Sequence, residues 1–133
     1  MKADPRSVAR HEAAHIVVGV TCGLRLRRAT AVPESDKILG WTWFHGDPEG
    51  PHREALALMF AAGVAWERGG SPADRALLRE LVSGRHAERA MIRAADAIIG
   101  DRYVAIKRVA EALLHRDLTG ADINALARGD RLD

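Results

Sequence analysis

Apolar residues recur at helical spacing near the start of the chain, where Ala9, Ala13, Ala14, Ile16, Val17 and Val18 lie between Asp4-Pro5 and Gly23. Aspartate can accept from free N–H groups at a helix start, proline fits the first helical position, and glycine takes the left-handed turn that ends a helix. The period then changes to two. Residues 24–32 alternate apolar and polar, Pro33-Glu34-Ser35-Asp36 reads as a turn, and residues 38–44 form a second alternating run. There Trp41 and Trp43 share one face and Thr42 and Phe44 the other, so the two runs predict a β-hairpin.

Helical spacing resumes after Pro48, Gly50 and Pro51. Pro51 opens an apolar helix through Leu56, Leu58, Met59, Ala62, Val64 and Trp66 that stops at Gly69-Gly70, the expected central core helix. Ser71-Pro72-Ala73-Asp74 has the form of a capping box and predicts a helix over residues 72–82, closed by Gly84. Amphipathic stretches over residues 87–99 and 103–115 follow, and Thr119-Gly120-Ala121-Asp122 announces a last short helix with a second capping box. The sum is a mainly α chain with a small β-hairpin, an α+β class, in one domain spanning residues 1–133.

Composition narrows the setting. With 133 residues and 47% hydrophobic content the chain can bury a core without disulfides, and its lone cysteine, Cys22, reads as a packing residue. The apolar run 55–66 is too short to cross a bilayer and residues 1–5 lack a signal peptide's apolar segment, so a cytoplasmic protein without membrane insertion is expected. Net charge is +2, with Lys+Arg 20 against Asp+Glu 18 interspersed. That balance argues against nucleic-acid binding. The row Arg85, Arg89, Arg93 is read as a solvated helix face.

The candidate chemistry lies in the first helix, at His11-Glu12-Ala13-Ala14-His15. Residues four apart share a helical face, so this H-E-x-x-H spacing lets two imidazoles grip one Zn²⁺ while Glu12 stands beside the open coordination position. An apolar helix does not bury two imidazoles and a carboxylate cheaply, because each uncompensated charge costs several kcal/mol. Metal is the natural compensation.

With these elements in order, the chain resembles the peptidase domain of FtsH-like AAA+ zinc metalloproteases. The segment Arg10 to Gly19 is similar to that family's His-Glu-Ala-Gly-His helix, and Ala31-Val32-Pro33 followed by Leu39-Gly40-Trp41-Thr42 is similar to its strand-turn-strand. Ala62-Gly63-Val64-Ala65-Trp66-Glu67 looks like its Gly-Gly-Arg-Ala-Ala-Glu helix, and Ala110 to Leu114 with Leu118 to Ile123 look like its last two helices. Two departures stand out: Ala14 replaces the usual glycine, and no G-x-x-x-x-G-K nucleotide loop or transmembrane segment occurs.

The resemblance implies a zincin-like fold and a third zinc ligand at Asp74, an aspartate that also suits a helix start. Glu67, His86 and Asp101 are the substitutes. A catalytic zinc takes three protein ligands and a water, lowers that water's pKa to about 7 and polarises the scissile carbonyl, with Glu12 as base and then acid. His45, His86 and Tyr103 are candidates for oxyanion stabilisation, a role left unassigned. In the resembled family the second strand borders the cleft and can pair with an extended peptide, while Trp41 and Trp43 either floor a pocket or pack as core. The expected activity is zinc-dependent endopeptidase cleavage of unfolded or flexible protein segments. The resemblance leaves room for homo-oligomers and for a separate ATPase partner. The competing expectation is a non-catalytic zinc-binding regulatory module derived from such a peptidase.

Overall fold

The computed structural model describes residues 4–29, 42–45 and 50–130. In chain order the elements are α1 (Pro5–Thr21), β1 (Arg25–Ala29), β2 (Thr42–His45), α2 (Arg53–Trp66), α3 (Pro72–Leu81), α4 (Arg85–Asp101), α5 (Tyr103–Leu113) and α6 (Gly120–Arg128). The class is mainly helical with a small antiparallel sheet, as the sequence pattern predicts.

Helix α1 starts where Asp4 accepts from the Arg6 backbone N–H and the Ser7 hydroxyl, with Pro5 inside the first turn. It ends at Cys22, and Gly23 carries the turn out at φ +96°. The residues from Glu12 to Gly19 are all buried. A helix apolar all round needs cover on every side. α1 packs between α2 and α5 and touches both strands; α2 in turn lies against α3 and α4. Ile16, Val18, Val64, Leu78, Ile106 and Leu113 are among the largest fully buried side chains of that shared core.

Strand β1 pairs antiparallel with β2, placing Arg25 opposite His45 and Leu26 opposite Phe44. A register shift between Leu26 and Arg28 interrupts simple alternation and turns Ala29 into the core. Such a bulge re-aims a strand without ending its pairing. Ala29 then exchanges two backbone hydrogen bonds with Leu118, at 2.8 and 3.0 Å, which ties the sheet to the entry of α6. The predicted turn 33–36, the first half of the second strand and Trp41 lie outside the described residues.

Helix starts differ in part from expectation. α2 begins at Arg53, with Pro51 in the preceding turn, and α4 begins at Arg85. Of the two expected capping boxes, the one at Thr119 forms in full: its hydroxyl accepts from Asp122 N–H and the Asp122 carboxylate accepts from Thr119 N–H. The one at Ser71 does not. Ser71 sits in the left-handed region at φ +61°, makes no side-chain cap, and donates its hydroxyl to Asp74 Oδ2 instead. The Asp74 side chain is drawn away from its own helix start by the histidines described below.

Three anchors fix α3. Arg53 at the start of α2 donates to the carbonyls of Leu81 and Glu80, closing the C-terminal end of α3. Arg75 and Arg79 both reach the buried Glu88 of α4, at 3.4 and 2.5 Å. The Arg79 hydrogen bond, against a burial penalty, and the charges of Arg79, Arg75 and Arg85 hold the Glu88 carboxyl below the usual range. The third anchor is Asp74.

Because Thr119 holds the only capping box formed among the described residues, Thr119→Ala should lower unfolding free energy by about 1 kcal/mol. Urea denaturation followed by circular dichroism checks this, and an unchanged midpoint would refute it.

Candidate metal centre

His11 and His15 stand one turn apart on α1, their rings 4.7 Å apart and nearly perpendicular. Their Nε2 atoms are 3.1 Å from each other, and Asp74 Oδ2, from the first turn of α3, lies 2.9 Å from His11 Nε2 and 3.2 Å from His15 Nε2. The three atoms form a small triangle. Ligand atoms around a tetrahedral zinc, at bond lengths of about 2.0–2.2 Å, lie about 3.3–3.6 Å apart, so this triangle needs only a few tenths of an ångström of expansion.

The far side of each ring decides which nitrogen is bare. His15 Nδ1 is 2.7 Å from the Met59 carbonyl, which can only accept, so that nitrogen carries the proton and Nε2 presents a lone pair. His11 Nδ1 is 2.9 Å from Glu67 Oε1 and donates to it in the same way. Both imidazoles are therefore oriented by acceptors behind them, the arrangement that fixes the tautomer of metal-ligating histidines. Two nitrogen lone pairs and one carboxylate oxygen then face one another at hydrogen-bond distance. Only a cation between them, proton or metal, makes that arrangement favourable.

Without a metal, the electrostatics of the cluster favour a proton on His11. Burial disfavours the His11 imidazolium, but hydrogen bonds to Asp74 and Glu67, with the charges of Asp74 and Glu12, outweigh it and push the pKa from 6.5 up to about 9. Burial likewise disfavours the Asp74 carboxylate. The neighbouring imidazoles of His11 and His15, with His11 leading, and the Ser71 hydroxyl overcome it and hold that carboxyl far below the usual range.

Glu12 is 6% exposed. Ligand atoms of His11, Glu12 and His15 lie within 4.8 Å of one another, and the three form a group that could hold a metal ion. Asp74 Oδ2 approaches both Nε2 atoms more closely than that limit, so its carboxylate could join the two imidazoles as a donor. A cavity of about 420 Å³ opens over the cluster, lined by His11, Glu12, Glu67 and Asp74 together with Ser7 and Ala73.

The cluster depends on a close approach that needs glycine. A Cβ on Gly63 of α2 would fall 2.5 Å from His15 Cε1 and closer still to Asp74 Oδ2. The loop from α2 to α3 is also unusual, with Arg68 at φ +53° and Ser71 at φ +61°, both outside the ordinary range for side-chain-bearing residues. Such conformations concentrate where surrounding structure fixes a functional geometry.

The structure brings together His11, Glu12, His15 and Asp74. Of the substitute ligands, Glu67 reaches the cluster only through His11 Nδ1, and His86 and Asp101 are exposed near the two ends of α4. Tyr103 is half-exposed and stacks on Trp66 with ring centroids 6.2 Å apart. The side chains of His45 and Trp43 lie outside the described set. Sequence reasoning missed Gly63, Ser71 and the orienting part of Glu67. Its available signal was the pair Gly63 and Glu67 on the apolar helix facing His11 and His15. Cys22 is half-buried, with burial and then the Glu54 charge pushing its thiol pKa up, consistent with a packing residue. Among the described residues no helix is long and apolar enough to cross a membrane. Compared with known proteins, the chain matches no family model and no curated relative, so its function rests on the geometry above.

Gly63→Ala should remove metal binding while leaving most of the helical signal, read by chelator competition and circular dichroism; wild-type affinity in that variant would refute the close-approach argument. The raised His11 pKa gives a second outcome. A group whose folded pKa exceeds its unfolded value adds stability that is complete below about 6.5 and lost as pH rises through about 9. Metal-free protein should therefore lose about 3 kcal/mol of stability across that window, while metal affinity rises as the competing proton leaves. Denaturation series over this pH range, with and without metal, check both slopes.

Proposed function

We propose that the chain is a zinc-dependent peptidase that hydrolyses peptide bonds in unfolded or flexible segments, with a zincin-like fold resembling the FtsH-type peptidase domain. The observation that carries this reading is the convergence of His11 Nε2, His15 Nε2 and Asp74 Oδ2, with Glu67 and the Met59 carbonyl behind the rings. Two neutral imidazoles and a carboxylate suit zinc, and a three-ligand set leaves a position open for chemistry. Zinc bound there supplies a Lewis acid and an acidified water.

The chain's own residues do the rest. Glu12 follows His11 directly and is buried near both imidazoles without belonging to the donor triangle, which suits a base that takes a proton from water and later delivers it to the leaving amine. Glu67 and Met59 keep both ring orientations fixed while charge at the cluster changes. The cavity beside Glu12 gives an extended chain access to the site.

Glu12→Gln should keep zinc stoichiometry near one per chain and lower hydrolysis of an unstructured peptide by at least about a hundredfold. Asp74→Asn should weaken zinc binding strongly, with the melting temperature of the metal-free form changing far less than that of the zinc form. Zinc content by mass spectrometry and a fluorogenic peptide assay read both. A wild-type protein that holds zinc but cleaves no peptide would instead favour a non-catalytic zinc-binding module.

A further inference from the structure

The cavity over the metal cluster does not end there. Ser7 and Glu67 also line a second cavity of about 370 Å³, whose other walls are Arg10, Trp66, Arg68 and Tyr103. On α1, Ser7 and Arg10 precede His11 by four and one residues, so the second cavity opens directly beside the metal ligand. Its floor is the stacked Trp66–Tyr103 pair, with Lys107 Nζ 5.7 Å from the centre of the tyrosine ring.

The charge of this second cavity is unbalanced. Glu67 is its one carboxylate, and that group is already committed to His11 Nδ1. Arg10 and Arg68 are exposed, line this cavity and make no ion pair with any described residue. Arg68 also holds the left-handed backbone at φ +53°, where glycine would be free of strain, and its side chain lines the cavity. Two unmatched guanidiniums, a hydroxyl and an aromatic floor form a receptor for a carboxylate on a short apolar stem, since arginine binds that group through two parallel hydrogen bonds.

We propose that this second cavity is a substrate subsite that accepts a carboxylate of the bound peptide, from a glutamate or aspartate side chain near the scissile bond or from the peptide's own C-terminus. The proposal rests on the peptidase reading and adds a preference for acidic substrates. Arg10 and Arg68 hold the carboxylate, and Trp66 with Tyr103 covers the stem.

The test separates binding from turnover. Zinc-loaded Glu12→Gln protein is titrated into fluorescein-labelled peptides of one unstructured sequence carrying glutamates or glutamines at the same positions, each with a free or an amidated C-terminus, and anisotropy gives the affinity. The glutamate or the free-carboxylate peptide should bind about tenfold more tightly than its neutral counterpart, the scale of one charge-assisted contact. Which of the two shows the gain identifies the carboxylate's source. In the same background Arg10→Ala and Arg68→Gly should each reduce the gain, and the pair together should abolish it; the glycine variant suits the left-handed backbone, so lost folding does not explain its effect. Arg68→Glu should reverse the preference. Equal affinities for all four peptides, or a preference that survives in the double variant, would overturn the proposal. If the preference is present but wild-type zinc protein hydrolyses none of the peptides, the carboxylate subsite stands and the peptidase reading fails.

Discussion

Two imidazole lone pairs and a carboxylate oxygen cannot be held within about 3 Å of one another in a mostly dry site unless a cation stands among them. The rest of the molecule is arranged around that requirement. α1 supplies both histidines on one face, the apolar surroundings of Ile16 and Val18 keep that helix fixed in the core, and α2 and α3 bring the groups that orient or complete the cluster. Because the clustered groups come from separate helices, the packing of those helices determines whether a cation could be held among them.

Helix α3 carries most of this burden. It is short, and only Asp74 and Leu78 of it are buried, so Leu78 is its one fully buried apolar anchor. Its placement comes from Arg53 at one end, from Glu88 through Arg75 and Arg79 along its side, and from Asp74 at the other end. The Glu88 contacts bridge a buried carboxylate to arginines that remain partly solvated, a geometry in which removing the carboxylate leaves two cations less well matched rather than stranded in the core. The contacts that hold α3 against its neighbours also hold Asp74 beside the histidines, so cation binding at the cluster should be coupled to the stability of this region.

The loop between α2 and α3 shows how local cost is tolerated for such geometry. Left-handed conformations at Arg68 and Ser71 are disfavoured by about 1 kcal/mol or more each, and they persist because the ends of the loop are pinned by Glu67 on His11 and Asp74 on both histidines. The same loop turns Arg68 toward the cavity beside the metal cluster. One short segment thus shapes the candidate metal centre and the charge of its neighbouring surface.

Much of this was legible in the residues alone. The order and type of the helices followed from apolar spacing, the start at Asp4-Pro5 and the box at Thr119 from capping chemistry, and the shared face of His11 and His15 from four-residue spacing, because these are properties of one turn of backbone. What tertiary structure decided lies between elements. Asp74 and a capping aspartate look identical in sequence; only the approach of α3 to α1, permitted by the missing side chain at Gly63, turns its carboxylate to the histidines and leaves Ser71 without a cap. Likewise Glu67 resembles any helix-end carboxylate until α2 places it behind His11. Local spacing determines which groups can share a face, whereas the packing of one helix against another determines which groups meet.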